Sequence, residues 1–204
     1  MFFVFEGLDG AGKSTQIRLL AEALREATGD DSTRQVITCR DPGSTPAGEA
    51  IRALLLDPAA KIGMMAEMLL YMSARAQLVE EVIRPALDGG NVVISDRFLL
   101  SNVVYQGHAG GLSVEEIWRI GRIATKNLQP RLTFVLDLPA NESDKRIDRP
   151  RDRLESRGEA FRLSVRDGFL REAAVDPENI FVVDGSQPIE EVHAEIKTAA
   201  LACL

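Results

Sequence analysis

Apolar residues recur along the chain in five short, nearly uninterrupted runs that are rich in Val, Ile and Phe. Runs of this length without polar alternation are typical of strands buried on both faces of a parallel sheet. The pattern predicts five such strands, at residues 2–6, 35–39, 91–95, 132–138 and 180–183.

Between these runs, apolar residues return every three or four positions, which is the period of an amphipathic helix. The predicted helices span residues 13–28, 46–56, 66–87, 114–128, 163–175 and 189–201. Ser113 and Glu116 form a capping-box pattern at the start of the fourth. Strands that alternate with helices predict an α/β fold, in which helices cover both faces of a parallel sheet. At 204 residues, the chain suits one domain with a small insert.

The first strand and the first helix are joined by Gly7-Leu-Asp-Gly-Ala-Gly-Lys13-Ser14, which fits the pattern G-x-x-x-x-G-K-[ST]. Glycines let successive backbone N–H groups converge on a phosphate, and the start of the helix adds its positive dipole end. Lys13 is placed to reach the β and γ phosphates, and Ser14 to bind Mg²⁺. The stretch therefore predicts a nucleoside triphosphate site.

Composition and charge narrow the classes of function. Hydrophobic residues make up 45% and charged residues 27%, the balance of a soluble globular protein. A formal charge of −7 argues against nonspecific binding to nucleic acid or to acidic membranes. The initial apolar run is too short for a signal peptide, and no run is long enough to span a membrane. Cys39 and Cys203 match no metal or redox spacing, so we expect a cytoplasmic protein.

A second group of cations indicates what the triphosphate is used for. A signalling GTPase needs N-K-x-D and D-x-x-G motifs, and neither occurs at a suitable place. A small phosphotransferase instead needs cations for an acceptor phosphate. Arg40 follows the second strand, Arg75 lies in the third helix, and Asp96 and Arg97 follow the third strand. The carboxyl ends of parallel strands meet at one crevice, so these groups should converge there.

Together these motifs make the chain resemble the thymidylate kinase family, which transfers the γ-phosphoryl group of ATP to dTMP. The resemblance covers nearly the whole chain and rests on the phosphate loop, on RDPGST, YMSARAQL, DRFLLSNVVYQG and DRLE. The family usually has REPGGT where this chain has RDPGST. The resemblance implies a P-loop NTPase three-layer fold with a five-stranded parallel sheet, a homodimer, Mg²⁺, and a mobile lid at about residues 143–160.

The resemblance also implies roles for the phosphate loop and the metal. The expected ATP contacts in the loop are Gly7, Leu8, Asp9, Gly10, Ala11, Gly12, Lys13, Ser14 and Thr15. Lys13, Asp9 and Arg97 are then catalytic residues, and Asp9 contacts the nucleotide sugar and the magnesium shell. Ser14 and Asp96 are the expected metal-binding residues, with Asp96 acting through water.

For the acceptor, the resemblance implies that Arg97 and Arg40 clamp the phosphate of dTMP, since pairs of arginine with phosphate are short and often bidentate. Tyr71 and Arg75 share one helix face; the ring is expected against thymine, and Arg75 is expected to bond the base. Tyr105 is expected against the sugar, where a 2′-hydroxyl would project. The full predicted set is Arg40, Arg52, Tyr71, Arg75, Arg97, Ser101, Asn102, Tyr105 and Gln106.

The segment KRIDRPRDRLESR, residues 145–157, alternates arginines with carboxylates around Pro150. Many bacterial members of the family pair a glycine in the phosphate loop, here Gly10, with arginines in the lid, and the chain resembles this bacterial type. Arg149 and Arg151 are therefore expected to contact ATP, and Arg153 to neutralise the transferred phosphoryl group as a catalytic residue.

Other interpretations of these residues stay open at this point. Tyr71 and Tyr105 also suit helix-face core positions, Arg52 a structural role, and Asp96 with Arg97 a surface ion pair. The chain could phosphorylate another monophosphate or a deoxynucleoside, or hydrolyse ATP as a regulator with no acceptor.

Overall fold

The computed structural model describes residues 1–28, 35–146 and 153–203. Its five strands form one parallel sheet in the order β2-β3-β1-β4-β5. The strands are β1 Phe2–Gly7, β2 Val36–Arg40, β3 Val92–Asp96, β4 Leu132–Asp137 and β5 Ile180–Asp184. All five predicted strands are confirmed, with each end within one residue of its predicted position.

Burial differs between the middle and the edges of the sheet. Every residue of β1 is buried, whereas β2 and β5 alternate between buried and more exposed positions. The prediction that all five strands are buried on both faces is therefore wrong for these two. They lie at the two edges of the sheet, where one side of the strand has no neighbouring strand to cover it.

The helices follow the predicted pattern with several differences, including two short helices that were not predicted, Leu99–Asn102 and Ala140–Lys145. Their bounds are α1 Lys13–Thr28, α2 Pro46–Leu56, α3 Met64–Leu78, α4 Arg84–Asp88, α5 Leu99–Asn102, α6 Val114–Ala124, α7 Ala140–Lys145, α8 Glu159–Val175 and α9 Ile189–Leu201. The predicted helix 66–87 is divided by a π-helical segment, Val79–Ile83, and a second π-helical segment, Val103–His108, continues α5. Helix α6 stops earlier than predicted, because Lys126 and Asn127 adopt the left-handed conformation.

Local signals at the helix starts behave as the sequence indicates. The Ser113 hydroxyl accepts a hydrogen bond from the Glu116 backbone N–H at 3.3 Å, which confirms that half of the predicted capping box. Thr45 caps α2 in the same way, accepting from the Gly48 N–H at 2.9 Å, and Pro46 occupies the first helical turn.

Two apolar layers hold the sheet between its helices. Side chains alternate along β1, so Phe3 and Phe5 face α1 and α9, while Phe2 and Val4 face the opposite layer. This is the three-layer arrangement that the resemblance implies. It places the loops after β1, β2, β3 and β5 along one edge of the sheet, where α/β proteins bind ligands. Within the described ranges, no helix has the length and apolarity needed to cross a membrane.

Candidate active site

The loop between β1 and α1 is shaped around Lys13. Gly7 has φ +125°, and a Cβ there would lie 2.5 Å from the Leu136 carbonyl oxygen, so only glycine fits. The Lys13 ammonium donates to the backbone carbonyls of Leu8 at 2.9 Å and Gly7 at 3.2 Å, and lies 3.7 Å from the Asp9 carboxylate. Burial lowers the pKa of Lys13. These contacts within the protein hold the Lys13 side chain in place over the loop.

A cleft of about 890 Å³ opens in front of this loop. From the predicted site it gathers loop residues Asp9 to Thr15 together with Arg40, Arg52, Asp96 and Arg97. Gly7 and Leu8 serve the site through the carbonyl groups that hold Lys13. The cleft has the size and the cationic lining that a nucleoside triphosphate requires.

Arg97 is the most constrained of the predicted cations. Its backbone lies in the left-handed region, with φ +69°, a conformation that costs a non-glycine residue about 1–2 kcal/mol. The guanidinium donates to Asp9 at 2.8 Å, to the Ser101 hydroxyl at 3.1 Å and to the Tyr105 hydroxyl at 3.3 Å, and lies over the Tyr105 ring. Strain of this kind clusters at functional sites, and here it turns Arg97 from the end of β3 into the site.

Beneath Arg97 lies a fully buried carboxylate that the sequence analysis did not select, Glu6. It accepts from the Phe98 backbone N–H at 2.9 Å and from the Ser101 hydroxyl at 2.5 Å. Burial raises its pKa to about 6, against the opposing effect of Arg97. In the sequence, only its position as a single acid at the end of an otherwise apolar strand could have indicated that Glu6 is functional. Glu6 fixes the turn from which Arg97 and Ser101 project.

A smaller pocket of about 80 Å³ adjoins the cleft. It is lined by every predicted substrate-binding residue except Arg40, namely Arg52, Tyr71, Arg75, Arg97, Ser101, Asn102, Tyr105 and Gln106. Asp9, Asp41, Arg52 and Arg97 line both cavities. Arg40 faces the cleft instead, and its guanidinium is bonded to Glu49 at 2.8 and 2.9 Å.

Arg75 lies in the wall of this pocket and is completely buried. It donates to Asp41 and to Asn102 Oδ1, both at 2.5 Å, to the Phe98 carbonyl at 3.1 Å and to the sulfur of Met72 at 3.2 Å. An arginine has five N–H groups, so these contacts occupy most of its donors. The predicted hydrogen bond from Arg75 to the base therefore needs an N–H group that these contacts within the protein do not use.

Asp41 was quoted in the RDPGST motif but was not selected as a site residue. Its buried carboxylate pairs with Arg75 through Oδ2, and within the described residues Oδ1 has no hydrogen-bond partner. Burial raises the pKa of Asp41, and Arg75 opposes that shift. An unpaired buried carboxylate oxygen facing two cavities is a place where a ligand donor can bind.

The side-chain oxygens of Asp96 and Ser14 in the cleft are suitable ligands for Mg²⁺. Asp96 Oδ1 is buried and, in the part of the chain that is described, accepts no hydrogen bond. Asp96 and Ser14 both line the cleft beside Lys13. Magnesium is typically held by one or two protein oxygens together with substrate phosphates and water. The predicted metal residues thus fit the ion.

The arginine-rich segment is only partly described. Arg149 and Arg151 lie outside the described residues. Arg153 is not brought to the phosphate loop: it donates to the Leu55 carbonyl at 2.9 Å and pairs with the buried carboxylate of Glu67. Arg146, which the sequence analysis missed, lines the cleft and donates to the Gly185 carbonyl at 3.2 Å. The alternation of charges along this segment gave no means of ranking its arginines.

Comparison with known proteins finds thymidylate kinases that match nearly the whole chain. The family model described as thymidylate kinase matches residues 5–196. The chain is 45% identical over 199 residues to the thymidylate kinase of Symbiobacterium thermophilum, covering 97% of this chain and 91% of that protein. It is 41% identical to the thymidylate kinase of Thermosipho africanus, over 97% and 96% of the two chains. A crystal structure of the Ehrlichia chaffeensis thymidylate kinase superimposes with a TM-score of 0.77 at 31% identity, covering 98% of each chain.

Proposed function

We propose a residue-level mechanism for this chain, which belongs to the thymidylate kinase family and transfers the γ-phosphoryl group of ATP to dTMP, giving dTDP and ADP. One observation carries the proposal. The large cleft at the phosphate loop and the small pocket share Asp9, Asp41, Arg52 and Arg97. A donor in the cleft and an acceptor in the pocket therefore meet at Arg97.

On the donor side, ATP occupies the cleft with its phosphates on the loop. The loop N–H groups and the start of α1 bind the phosphates, and Lys13 turns from the carbonyls of Gly7 and Leu8 toward the β and γ phosphates. Ser14, and Asp96 through water, would hold Mg²⁺, which would supply neutralisation of the phosphate charge when bound.

On the acceptor side, dTMP occupies the small pocket with its phosphate toward Arg97 and Arg52, and Arg40 reaches that phosphate from the adjoining cleft once it leaves Glu49. A phosphate monoester carries nearly two negative charges at neutral pH, so it attacks without a general base. Catalysis then consists of positioning and charge neutralisation. Arg97 suits both tasks, because Asp9, Ser101 and Tyr105 fix its direction.

The rest of the pocket recognises thymine and deoxyribose. Tyr71 provides an aromatic wall for the base, with Arg75, Asn102 and Gln106 as its polar groups, and Tyr105 lies beside the sugar. Arg153 in its described position contacts Glu67, so its predicted contact with the transferred phosphoryl group requires that it first leave that carboxylate. Arg149 and Arg151 stay predictions from the sequence.

We further propose a cytoplasmic homodimer in which the chain forms one domain with a lid at about residues 143–160. Support for the dimer comes from large apolar side chains that are nearly half exposed on the adjacent helices α2 and α3: Leu54, Met65 and Leu69. Light scattering after size-exclusion chromatography tests this directly. A monomer at micromolar concentration would overturn it.

An ADP-release assay tests the acceptor. We expect dTMP to accelerate ADP release strongly and thymidine to leave it unchanged. Acceleration by a nucleoside would indicate a deoxynucleoside kinase, and indifference to both would indicate a nucleotide-dependent regulator. The variant Tyr71→Ala locates the pocket, since it should raise the KM for dTMP and leave the KM for ATP unchanged.

A further inference from the structure

Glu67, in the first turn of α3, is a fully buried carboxylate beside the acceptor pocket. Removing a carboxylate from water is costly unless the charge is paired and hydrogen-bonded. The helix start offers some compensation through its dipole. The larger compensation comes from three side chains on two sides of the carboxylate, and these link parts of the site that are far apart in the chain.

On one side, both described arginines at the end of the arginine-rich segment bind Glu67. Arg153 and Arg157 donate to the same oxygen, Oε2, Arg157 at 2.5 Å. Arg153 also donates to the Leu55 carbonyl on α2, and the Arg157 guanidinium lies 4.9 Å from the centre of the Phe161 ring. Glu67 thus fixes this end of the segment against α2 and α3.

On the other side, Glu67 begins a chain of hydrogen bonds into the acceptor pocket. Its Oε1 accepts from Gln106 Nε2 at 2.8 Å, and Gln106 Oε1 accepts from Asn102 Nδ2 at 2.8 Å. Asn102 Oδ1 then accepts from Arg75 Nη1 at 2.5 Å. Gln106, Asn102 and Arg75 all line the pocket.

The direction of this chain of hydrogen bonds is fixed at both ends, because the Glu67 carboxylate can only accept and the Arg75 guanidinium can only donate. A carboxylate can only accept, so Gln106 must turn its NH₂ group toward Glu67 and its oxygen toward Asn102. Asn102 must then donate to Gln106, which leaves its oxygen for Arg75. A neutral amide at position 67 could still accept from Gln106, but it would remove the charge that strengthens this terminal hydrogen bond and that pairs with Arg153 and Arg157.

We propose that Glu67 is a positioning residue for the acceptor: its charged carboxylate anchors the hydrogen-bonded Gln106 and Asn102 amides and holds Arg153 and Arg157 beside the same pocket. The inference rests on the proposed acceptor pocket. It explains why a carboxylate is buried here, and why Arg153 is found away from the phosphate loop.

The test compares Glu67→Gln with Glu80→Gln. Glu80 forms an exposed ion pair with Lys126 at 3.0 Å, so its variant makes the same chemical change away from the site. In Glu67→Gln we expect the Kd and KM for dTMP to rise about tenfold, the scale of one charged hydrogen bond. The KM for ATP should change less than about twofold, and Glu80→Gln should resemble the wild type.

Two results would overturn the proposal: an unchanged Kd for dTMP in Glu67→Gln, or an equal rise in the KM for ATP. Tyr71→Ala distinguishes a wrong role for Glu67 from a wrong pocket. If the Kd for dTMP is unchanged in Tyr71→Ala as well, the proposed acceptor pocket itself is disproved.

A second variant keeps the test valid if Glu67→Gln does not fold. Gln106→Leu removes the link to the pocket and leaves both arginines on Glu67. It should also raise the KM for dTMP, and adding Arg157→Ala should then cost less than Arg157→Ala costs alone, because both changes act through one carboxylate. Full additivity would show that the two sides of Glu67 act independently.

Discussion

The phosphate loop and the acceptor pocket adjoin each other but are built in different ways. In the loop, Lys13 bonds to carbonyl groups five and six residues earlier in the chain. In the pocket, Arg75 pairs with Asp41 across 34 residues, and Glu67 pairs with Arg153 across 86. The loop is thus a local structure set by its own sequence, whereas the pocket is a tertiary network. The side chains of the pocket should therefore contribute to the stability of the fold as well as to binding.

Lys13→Ala gives the largest expected loss of activity with little loss of stability. Removing a preorganised cation that meets transition-state charge should lower kcat by about 10³-fold or more. The substitution also removes the two hydrogen bonds from Lys13 to backbone carbonyls, so the free energy of unfolding should fall by no more than about 1–2 kcal/mol. Steady-state kinetics and urea unfolding measure both quantities. Turnover close to the wild-type rate would refute the role of Lys13.

Arg75→Met should show the opposite balance. It leaves the Asp41 carboxylate buried with no ion-pair partner, which should cost about 3 kcal/mol or more of unfolding free energy. Arg52→Met is the matched control: Arg52 lines the same pocket but is only half-buried, and its bond is to the Pro42 carbonyl at 3.1 Å. That variant should raise the KM for dTMP with a stability loss under about 1 kcal/mol. Equal stability losses in the two variants would remove the proposed contrast.

Glu6 lies under the junction of the two regions and gives the stability a defined pH dependence. Burial raises its pKa from 4.5 to about 6, so the folded state binds the proton more tightly than the unfolded state. Stability from this group is therefore present below pH 4.5 and is lost as the pH rises to 6, by about 2 kcal/mol.

Glu6→Gln removes this titration and keeps an acceptor for the Phe98 N–H. Between pH 4.5 and 6.5, the variant should gain about 1.5 kcal/mol relative to the wild type in denaturant unfolding. Glu22→Gln, on the exposed face of α1, serves as the control and should follow the wild type. A constant difference across that range would show that Glu6 does not titrate there.

The same contrast explains what the sequence alone could predict. The position and the backbone path of the loop were predicted, because the spacing of Gly7, Gly12 and Lys13 itself requires a glycine turn between a strand and a helix, whereas the bonds of Lys13 to the loop carbonyls were not. The five strands were found because uninterrupted apolar runs mark burial, but their order in the sheet depends on contacts between distant residues. For that reason the more exposed edges at β2 and β5 were not anticipated.

The missed functional groups are those whose meaning lies in their partners. Glu6 and Glu67 each look like a lone acid in an apolar segment, and nothing near them in sequence indicates Ser101, Gln106 or Arg153. Arg75, which was predicted to bind the substrate, lines the pocket, yet its predicted role left out Asp41, which accepts one of its hydrogen bonds. Helix α5 and the π-helical segment after it were missed because LLSNVV has no amphipathic period.

Tyr105 offers the finest test of the comparison, because its two ends belong to different regions. Its hydroxyl is bonded to Arg97 at the junction of the cavities, while its ring packs edge-on against Phe161 and Phe169. The ring would discriminate against a ribonucleotide by leaving its buried 2′-hydroxyl without a hydrogen-bond partner, which costs about 1–3 kcal/mol. Tyr105→Ala should then lower the ratio of kcat/KM for dTMP over its ribonucleotide counterpart by about tenfold. Tyr105→Phe keeps the ring and should keep that ratio, losing only the bond to Arg97, which Asp9 and Ser101 also hold. If the alanine variant instead loses activity with both substrates in proportion, Tyr105 supports the pocket and another residue discriminates between the sugars.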